Sequence, residues 1–266
     1  MSDRNIAKDG TMSAAESQPG EATQNVTAAV LVIGDEILSG RTKDKNIGYI
    51  ADFLTTIGID LKEVRIVPDE EDEIVAALNA LRARYDYLLT TGGIGPTHDD
   101  ITADSVAKAF GVGISHHPEA VKLIEARVGK GNLNEARLRM ARIPHGASLV
   151  INDVSGAPGF RIENVVVMAG VPAIMQSMLD AAAKDFRTGR KMLSVSIPLD
   201  VKEGDIADPL RAAQALYDDV LMGSYPKYAD GKFSVDVVMR GRDMARIEEA
   251  RASFLSALET AGTKGA

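Results

Sequence analysis

A glycine-rich loop with two adjacent aspartates separates an apolar run from an amphipathic one. The stretch LLTTGGIGPTHDDITADSVAKAFG covers residues 88–111. Glycines let a backbone approach a ligand closely, and amides that converge beside a helix N-terminus form an anion site. The candidate phosphate-binding residues are Thr91, Gly92, Gly93, Gly95 and Thr97. A tight turn with N-cap chemistry at Thr102 is the alternative interpretation.

Asp99 and Asp100 follow the glycines directly. Beside a phosphate, carboxylates repel unless a divalent cation lies between them, and Mg²⁺ prefers hard oxygen ligands. The pair therefore predicts a site for Mg²⁺ or a similar metal ion. One of the two residues capping the following helix is the alternative. The loop matches neither the Walker pattern nor the dinucleotide fingerprint.

Strands alternate with helices along the elements that must position this loop. VTAAVLVIG predicts a buried strand that ends at Gly34, and a helix capped by Asp44 and ended by Gly58 follows it. LKEVRIV and YDYLLTT predict further strands, each with a helix after it. This order predicts an α/β fold with a doubly wound, mostly parallel sheet. Ligands bind outside the carboxyl ends of such strands, where GDEILSG and TGGIGPTHDD both fall.

Further elements follow the glycine loop. Residues Pro118 to Arg142 predict two helical pieces that GKGN interrupts. Phe160–Ile162 and Val165–Met168 predict a β-hairpin with EN at its turn. VPAIMQSMLDAAAKDF predicts another helix, which completes the larger unit.

Past RTGR the predicted order of elements changes to strand (192–199), helix (206–217), strand (220–224), strand (233–240) and helix (244–261), which places a domain boundary near Thr188. Residues 26–188 are predicted to form the main domain and residues 189–266 a smaller C-terminal α/β domain. Residues 1–25 carry almost nothing apolar to bury, which predicts a disordered tail.

Composition excludes several classes of function. Apolar residues make up 45% and charged residues 26%, so the chain can form a packed core. A net charge of −8 and the absence of Trp argue against nucleic acid as a partner. The absence of Cys removes disulfides, thiolate zinc sites and thiol nucleophiles. Without a membrane-length apolar run or a secretory signal, we expect a cytoplasmic protein with no membrane partner.

Six motifs occur in a recognisable order: GDEILSG, Asp44 with Asn46, TGGIGPTHDDIT, NEARLRMARIPHGA, GAPGF and AGVPAIM. Together they resemble the molybdopterin-binding (MoaB/Mog) domain as it occurs in the competence/damage-inducible protein A (CinA) family. The resemblance covers roughly Thr27 to Phe186, and GSYP with its strand–helix pattern is similar to that family's second domain. The family's doubly wound fold agrees with the fold predicted from the pattern of elements.

The resemblance implies roles for particular residues. In the wider superfamily the glycine loop holds the pterin's terminal phosphate, and nearby acids bind metal and assist adenylyl transfer to molybdopterin. Carried over by motif, the metal ligands are Asp35, Glu36, Asp99 and Asp100, of which Glu36, Asp99 and Asp100 are the catalytic candidates. Asn46, Asn134, Gly170 and Pro172 are the further ligand-binding candidates within the matching motifs.

Three functions remain open at this point. CinA-type proteins are associated with metal-dependent pyrophosphatase activity on ADP-ribose-like dinucleotides, which implies that activity here. The alternatives are a non-catalytic molybdopterin-binding module and a molybdopterin adenylyltransferase. We expect a small-molecule nucleotide or pterin phosphate as partner, a homo-oligomer, and a short form without the amidohydrolase domain of full-length members. NDVSGAPGF and Ala169 depart from the family's usual residues, which bears on the base pocket more than on the phosphate site.

Histidines and basic residues allow two interpretations each. His98 lies inside the loop and is either a phosphate donor or solvated. His116 and His117 favour an extended helix entry over a metal site. The basic positions interleave with Glu125 and Glu135, which favours a solvated helix face or an oligomer contact. They are Arg127, Lys130, Arg137, Arg139 and Arg142.

Overall fold

The computed structural model describes residues 25–229 and 231–262. Apart from Asn25, the predicted tail over residues 1–25 lies outside this part of the chain. The strands are, in chain order, β1 (Val26–Ile33), β2 (Ile59–Val67), β3 (Tyr87–Thr91), β4 (Ile114–His116), β5 (Arg142–Pro144), β6 (Ser148–Val150), β7 (Gly159–Ile162), β8 (Val165–Met168), β9 (Leu193–Leu199), β10 (Leu221–Ala229) and β11 (Lys232–Gly241).

Helices alternate with most of these strands. They are α1 (Asp35–Leu38), α2 (Asn46–Thr56), α3 (Glu71–Arg82), α4 (Thr102–Phe110), α5 (Pro118–Val128), α6 (Glu135–Arg139), α7 (Pro172–Ala182), α8 (Glu203–Leu216) and α9 (Met244–Thr260). A 3₁₀ turn at Ala183–Asp185 follows α7. Within the two described ranges, no helix combines the length and the apolar character that crossing a membrane requires.

A six-stranded sheet forms the centre of the larger unit, in the order β2-β1-β3-β8-β7-β6. The strands β2, β1, β3 and β8 run parallel to one another. Strands β7 and β6 complete the sheet in antiparallel register, and β7 with β8 forms the predicted hairpin. The α/β class with a mostly parallel sheet is therefore confirmed.

Both faces of this sheet are covered, which explains the continuous apolar sequence of β1. Ala29, Leu31 and Ile33 pack with α3, α4 and α5 on one face. Val30 and Val32 pack with α2 and α7 on the other. Side chains alternate along a strand, so a strand buried on both faces needs apolar residues at every position. The doubly wound arrangement follows from this burial.

The ends of α2 lie where the sequence predicts them. The Oδ1 atom of Asp44 accepts the backbone N–H groups of Asn46 and Ile47 at 3.1 Å and 2.8 Å. These bonds satisfy donors that the first turn of a helix leaves free. Gly58 ends the helix with a φ of 76°, a conformation that favours glycine.

The prediction for residues 118–142 is wrong at its C-terminal end. Arg142 begins β5, which pairs with β4 in a separate two-stranded sheet. Burial accounts for this, because Ile143 is 3% exposed while the Arg142 guanidinium pairs with Asp104 of α4 at 2.8 Å. Strand β6, at the far edge of the large sheet, also carries no clear sequence signal.

The C-terminal unit has a core of its own. Strands β10, β11 and β9 form an antiparallel sheet, and α8 and α9 pack against it. Ile197, Val237 and Phe254 are among its buried residues. The order of strands and helices past RTGR follows the predicted one. We propose the domain boundary near Thr188, where the chain passes from one core to the next.

A chain that ends at Gly189 should fold by itself. Both apolar clusters of the six-stranded sheet draw their buried members from residues 26–186. We expect one cooperative thermal transition, with a melting temperature lowered by roughly 2–4 °C for each kcal/mol by which the C-terminal unit stabilises the larger one. Calorimetry and circular dichroism measure the cooperativity of the transition and the melting temperature. Full-length Arg242→Gln is the matched control, because it removes an ion pair that joins the two units. A truncated chain without a cooperative transition would contradict the proposed boundary.

Candidate functional site

A cavity of about 560 Å³ opens at the carboxyl ends of the parallel strands. Three loops line it: residues 92–96 after β3, residues 155–158 before β7, and residues 169–172 after β8. Glu36, in the segment after β1, also lines it. We call this space the loop cavity. Its position is the one that an open parallel sheet gives to a ligand site.

The glycines of the loop are needed for its contact with the protein's own chain. Gly92 and Gly93 have φ angles of 105° and 65°, which side chains rarely adopt. A Cβ on Gly92 would lie 2.1 Å from the carbonyl oxygen of Ile33, and one on Gly93 would lie 2.1 Å from Thr102 Oγ1. The loop thus packs directly on the end of β1 and the start of α4. The sequence alone predicts that the same glycines allow a ligand to approach the backbone.

Two amides of this loop are available to a ligand. The Gly92 N–H donates to the Met168 carbonyl at 3.1 Å, and the Gly93 carbonyl accepts the Thr102 N–H at 3.0 Å. The backbone N–H groups of Gly93 and Ile94 have no hydrogen bond within the described part of the chain. Adjacent unpaired amides are the donors that bind phosphate oxygens. Thr102 ties the loop down, because its hydroxyl donates to the Gly92 carbonyl at 3.0 Å.

Asp100 stabilises the glycine loop by accepting hydrogen bonds from groups of the loop itself. Its Oδ1 accepts the Gly95 N–H at 2.6 Å, and its Oδ2 accepts the Thr97 N–H at 2.7 Å and the Thr97 hydroxyl at 2.5 Å. A Cβ on Gly95 would lie 2.6 Å from the same carboxylate. The amides of Gly95 and Thr97 are therefore used internally. Charge-assisted bonds of this kind hold the loop in one geometry.

Asp99 has different surroundings from its neighbour. Its side chain is exposed, whereas that of Asp100 is partly buried. The nearby Thr97 side chain lowers the pKa of Asp99, and its own backbone N–H and the charge of His98 lower it further. Asp99 is therefore ionised and open to solvent. Asp100 lines the loop cavity and Asp99 does not, but Asp99 is the one of the two whose carboxylate does not accept hydrogen bonds from the glycine loop.

An additional carboxylate, Asp69, lies at the end of β2. Its Oδ2 accepts the backbone N–H of Asp35 at 3.0 Å. Burial raises the pKa of Asp69, and the negative charges of Asp35, Glu36 and Asp99 raise it further, against the opposing effect of the Asp35 N–H. These four carboxylates therefore interact electrostatically at one edge of the sheet. We call Asp35, Glu36, Asp69 and Asp99 the acidic group.

Sequence reasoning missed Asp69 because it stands in a run of acids. The run DEEDEIVAALNALRAR predicts one helix with its acids in the first turn, whereas α3 begins at Glu71. Asp69 lies in the connection after Val67, which ends β2. Its place two residues after the end of a predicted strand is the signal that could have found it, because GDEILSG lies at the corresponding end of β1. The cavity residues Met140, Ser155 and Pro158 were also missed.

The predicted metal ligands do not form one cluster. Over residues 25–229 and 231–262, no group of three or more His, Cys, Asp or Glu side chains is close enough to hold a metal ion. Asp35, Glu36 and Asp99 belong to the acidic group, whereas Asp100 is occupied by the glycine loop. Mg²⁺ often takes only one or two carboxylates and completes its shell with water and substrate phosphates. The divalent metal stays a prediction.

Asn46 lies beside the cavity with one polar atom unused. Its Nδ2 donates to the Gly170 carbonyl at 2.8 Å, which fixes the loop after β8. Its Oδ1 is buried without a hydrogen-bond partner among the described residues. Gly170 and Pro172 line the cavity, as their motif predicts. A Cβ on Gly170 would lie 3.4 Å from the Gly92 Cα, so this glycine has room for a side chain.

Three other ligand-binding candidates lie away from the cavity wall. Thr91 is 1% exposed inside β3, and the Thr97 hydroxyl donates to Asp100. Asn134 caps α6, because its Oδ1 accepts the Arg137 N–H at 2.9 Å. Their sequence positions suggested donors to a ligand, whereas burial and local hydrogen bonds occupy them in the structure.

Two family models match the chain. The one described as "Probable molybdopterin binding domain" matches residues 29–188, and the one described as "FAD synthase, middle domain" matches residues 191–264. The first range contains the glycine loop, the acidic group and the loop cavity. The second contains the whole C-terminal sheet with α8 and α9.

Some relatives of the chain match most of its length, and others match chiefly its larger unit. A protein of Archaeoglobus fulgidus is 34% identical over 227 residues, which are 85% of this chain and 95% of that protein. A CinA-like protein of Citrifermentans bemidjiense is 39% identical over 168 residues, which are 61% of this chain and 41% of that protein. A crystal structure of the protein CinA from Thermoplasma acidophilum, 34% identical, aligns with a TM-score of 0.58 over 60% of this chain and 98% of that one. With a matching family model over more than half of its length, the chain belongs to the molybdopterin-binding domain family and is a CinA-like member of it.

Proposed function

We propose that the loop cavity binds an ADP-ribose-like dinucleotide and that the protein hydrolyses its diphosphate with the help of a divalent cation. One observation carries this proposal: the free amides of Gly93 and Ile94 and the acidic group meet at the same edge of the sheet. Amides attract phosphate oxygens and carboxylates repel them. A diphosphate with a cation satisfies both, because the cation offsets the repulsion.

The size and walls of the cavity suit a nucleotide. A volume of about 560 Å³ lies within the usual range for small-molecule sites. Ile94, Met140, Pro158 and Ile174 give it aliphatic walls, against which a planar ring can pack. Asn46 supports the cavity wall from behind, because its Nδ2 donates to the carbonyl of Gly170, which lines the cavity. Molybdopterin, a planar ring system with a terminal phosphate, fits the same features.

The acidic group fits a hard divalent cation by its chemistry. One or two carboxylates out of Asp69, Asp99 and Glu36 would hold the ion together with water and phosphate oxygens. Burial is the main cause of the raised pKa of Asp69, but the negative charges of Asp35, Glu36 and Asp99 also raise it, and a cation among these carboxylates would offset that repulsion. When bound, such an ion neutralises phosphate charge and polarises the phosphoryl oxygens.

The chain's own residues position the diphosphate and stabilise charge. In the proposed hydrolysis, a water oxygen bonds to one phosphorus and the bond from that phosphorus to the bridging oxygen breaks. ADP-ribose thereby yields AMP and ribose 5-phosphate. The amides of Gly93 and Ile94 donate to the non-bridging oxygens, on which charge increases in the transition state. Asp100 keeps these donors in place by holding the loop closed.

A non-catalytic molybdopterin-binding module is the second candidate. The lack of a three-carboxylate cluster among the described residues favours it, because a binding site needs no assembled metal centre. An adenylyltransferase would use the same cavity with ATP and molybdopterin. Purified protein with Mg²⁺ should therefore be incubated separately with ADP-ribose, with molybdopterin alone, and with molybdopterin plus ATP. Chromatography of the products separates AMP release, binding without turnover, and adenylylated pterin.

Gly170→Leu should abolish ligand binding and keep the fold. Gly170 has a backbone conformation that side chains accept, and a Cβ there meets only the Gly92 backbone at ordinary contact distance. The leucine would fill the space next to the free amides. We expect the affinity for ADP-ribose, measured by calorimetric titration, to fall at least roughly tenfold with an unchanged circular-dichroism spectrum. Gly170→Ala is the matched control and should bind nearly as well as the natural protein.

Unchanged affinity of a folded Gly170→Leu protein would exclude the loop cavity as the binding site. Gly93→Val is a poorer test of the ligand contact. Its branched side chain would collide with Thr102 Oγ1 and adopt a strained φ, so it perturbs the loop itself.

Asp99→Asn and Asp100→Asn should separate chemistry from loop structure. Asp99 is exposed, so Asn should leave the melting temperature unchanged and lower Mg²⁺ affinity and hydrolysis at least roughly tenfold. Asp100 accepts hydrogen bonds through both carboxylate oxygens, and Asn has only one acceptor oxygen. This substitution should cost about 1–3 kcal/mol of stability. Thermal unfolding, calorimetric Mg²⁺ titration and product assays measure the three quantities.

The pair of aspartate variants also tests the alternative. If Asp99→Asn retains full Mg²⁺ affinity and full hydrolysis, the acidic group does not hold the cation and the hydrolase proposal loses its basis. If the natural protein binds ADP-ribose or molybdopterin without turnover, the binding module becomes the better assignment. Asp69→Asn extends the test to the carboxylate that sequence reasoning missed.

A further inference from the structure

A second cavity, of about 490 Å³, lies between the two units. Asn25 and Asp60 contribute to it from the beginnings of β1 and β2, and Arg190, Arg240 and Arg242 contribute from the C-terminal side. We call it the joint cavity. The loop cavity lies at the carboxyl ends of the parallel strands, whereas the joint cavity lies at the amino ends of β1 and β2. The two spaces are therefore separate sites.

The joint cavity is basic in an acidic protein. Its lining includes the basic residues Lys62, Arg190, Arg240, Arg242 and Arg246 and the acidic residues Asp60, Asp219 and Asp243. The whole chain, in contrast, carries a net charge of −8. A local excess of positive charge with walls of protein raises the concentration of anions at this place.

The acids of the cavity already have partners. The Asp60 carboxylate forms ion pairs with Arg242 at 2.7 Å and with Lys62 at 3.3 Å. Asp219 pairs with Arg246 at 2.9 Å. These contacts neutralise the acids and leave part of the basic surface without a counter-charge.

Asp243 is occupied as well, because its Oδ1 caps α9 by accepting the Ala245 N–H at 2.8 Å. With this bond, each acid of the joint cavity has a defined structural role. A ligand that enters the cavity would therefore meet the unused donors of the arginines.

Two arginines of the joint cavity have guanidinium N–H groups without an acceptor among the described residues. The Nη1 atom of Arg242 is buried and has no hydrogen-bond partner in the described part of the chain. The Arg240 guanidinium is exposed and has neither an ion pair nor a side-chain hydrogen bond among the described residues. A guanidinium cannot lose its proton, so a buried N–H of this kind calls for an acceptor. Arginine donors in a forked arrangement bind phosphate oxygens especially well.

We propose that the joint cavity binds a small phosphorylated metabolite, whose phosphate is held by Arg240, Arg242 and Lys62. Its volume accommodates a mononucleotide or a sugar phosphate. Lys62 belongs to β2 of the larger unit, whereas Arg240 and Arg242 belong to the end of β11 and the residue after it. A phosphate that contacts both sides links the units, in parallel with the Asp60–Arg242 ion pair.

This site should be measured with the loop cavity blocked. In the Gly170→Leu chain, calorimetric titrations with inorganic phosphate and with AMP should each show one binding site. Arg240→Gln in that chain should weaken both ligands by roughly tenfold or more, because it removes a charged donor. Its ligand-free melting temperature should not change, since the Arg240 guanidinium has no partner to lose. Lys184→Gln, which removes an exposed charge on the larger unit outside the cavity lining, is the matched control and should bind normally.

The two ligands separate the sources of the phosphate group. Tighter binding of AMP than of inorganic phosphate identifies a nucleotide, and equal binding identifies the phosphate group alone. Absence of binding at millimolar ligand, or Arg240→Gln binding unchanged, overturns the proposal. Preference for a single-stranded oligonucleotide over AMP also overturns it. If Gly170→Leu does not fold, phosphate titration of the natural chain against Arg240→Gln and Lys184→Gln gives the same decision.

Discussion

The close packing of the glycine loop against the end of β1 is the constraint on which the site depends. Gly92 lies so close to the Ile33 carbonyl that no side chain can be placed there, and Gly93 is equally close to Thr102. This contact fixes the loop between a buried strand and the start of α4. Because the loop is held by its own chain, its free amides keep their positions before any ligand arrives. Such preorganisation lowers the cost of binding and of charge stabilisation.

Charge is distributed unequally between the carboxyl ends and the amino ends of the strands in the large sheet. The carboxyl ends of the strands carry the acidic group, in which burial and the neighbouring negative charges raise the pKa of Asp69. The amino ends face the joint cavity with its excess of arginine. Phosphate would bind at the acidic edge through backbone amides and a cation, and at the basic edge through guanidinium groups. In the two proposed sites, phosphate would thus be bound by different kinds of donor.

Sequence patterns predicted the elements whose burial is continuous and missed those whose pairing is distant. Strands β1 and β3 are buried along almost their whole length, because helices cover both faces. Strands β4 and β5 have three residues each and exist through pairing of Ile114 with Pro144, which no local pattern encodes. The glycine loop was found by its composition. The brace formed by Asp100 depends on the fold of the loop and was not visible, and a run of acids concealed Asp69.

The neighbouring amides and carboxylates place opposite demands on a ligand, and this difference distinguishes the candidate functions. A ligand with one terminal phosphate can bind the Gly93 and Ile94 amides alone and leave the acidic group to water. A diphosphate extends further, and its second phosphate would be repelled by Asp69 and Asp99 unless a cation lies between them. Binding of a dinucleotide should therefore depend steeply on the divalent cation, whereas binding of a pterin phosphate should depend on it weakly. The cation dependence of affinity reports on the class of ligand even where no turnover occurs.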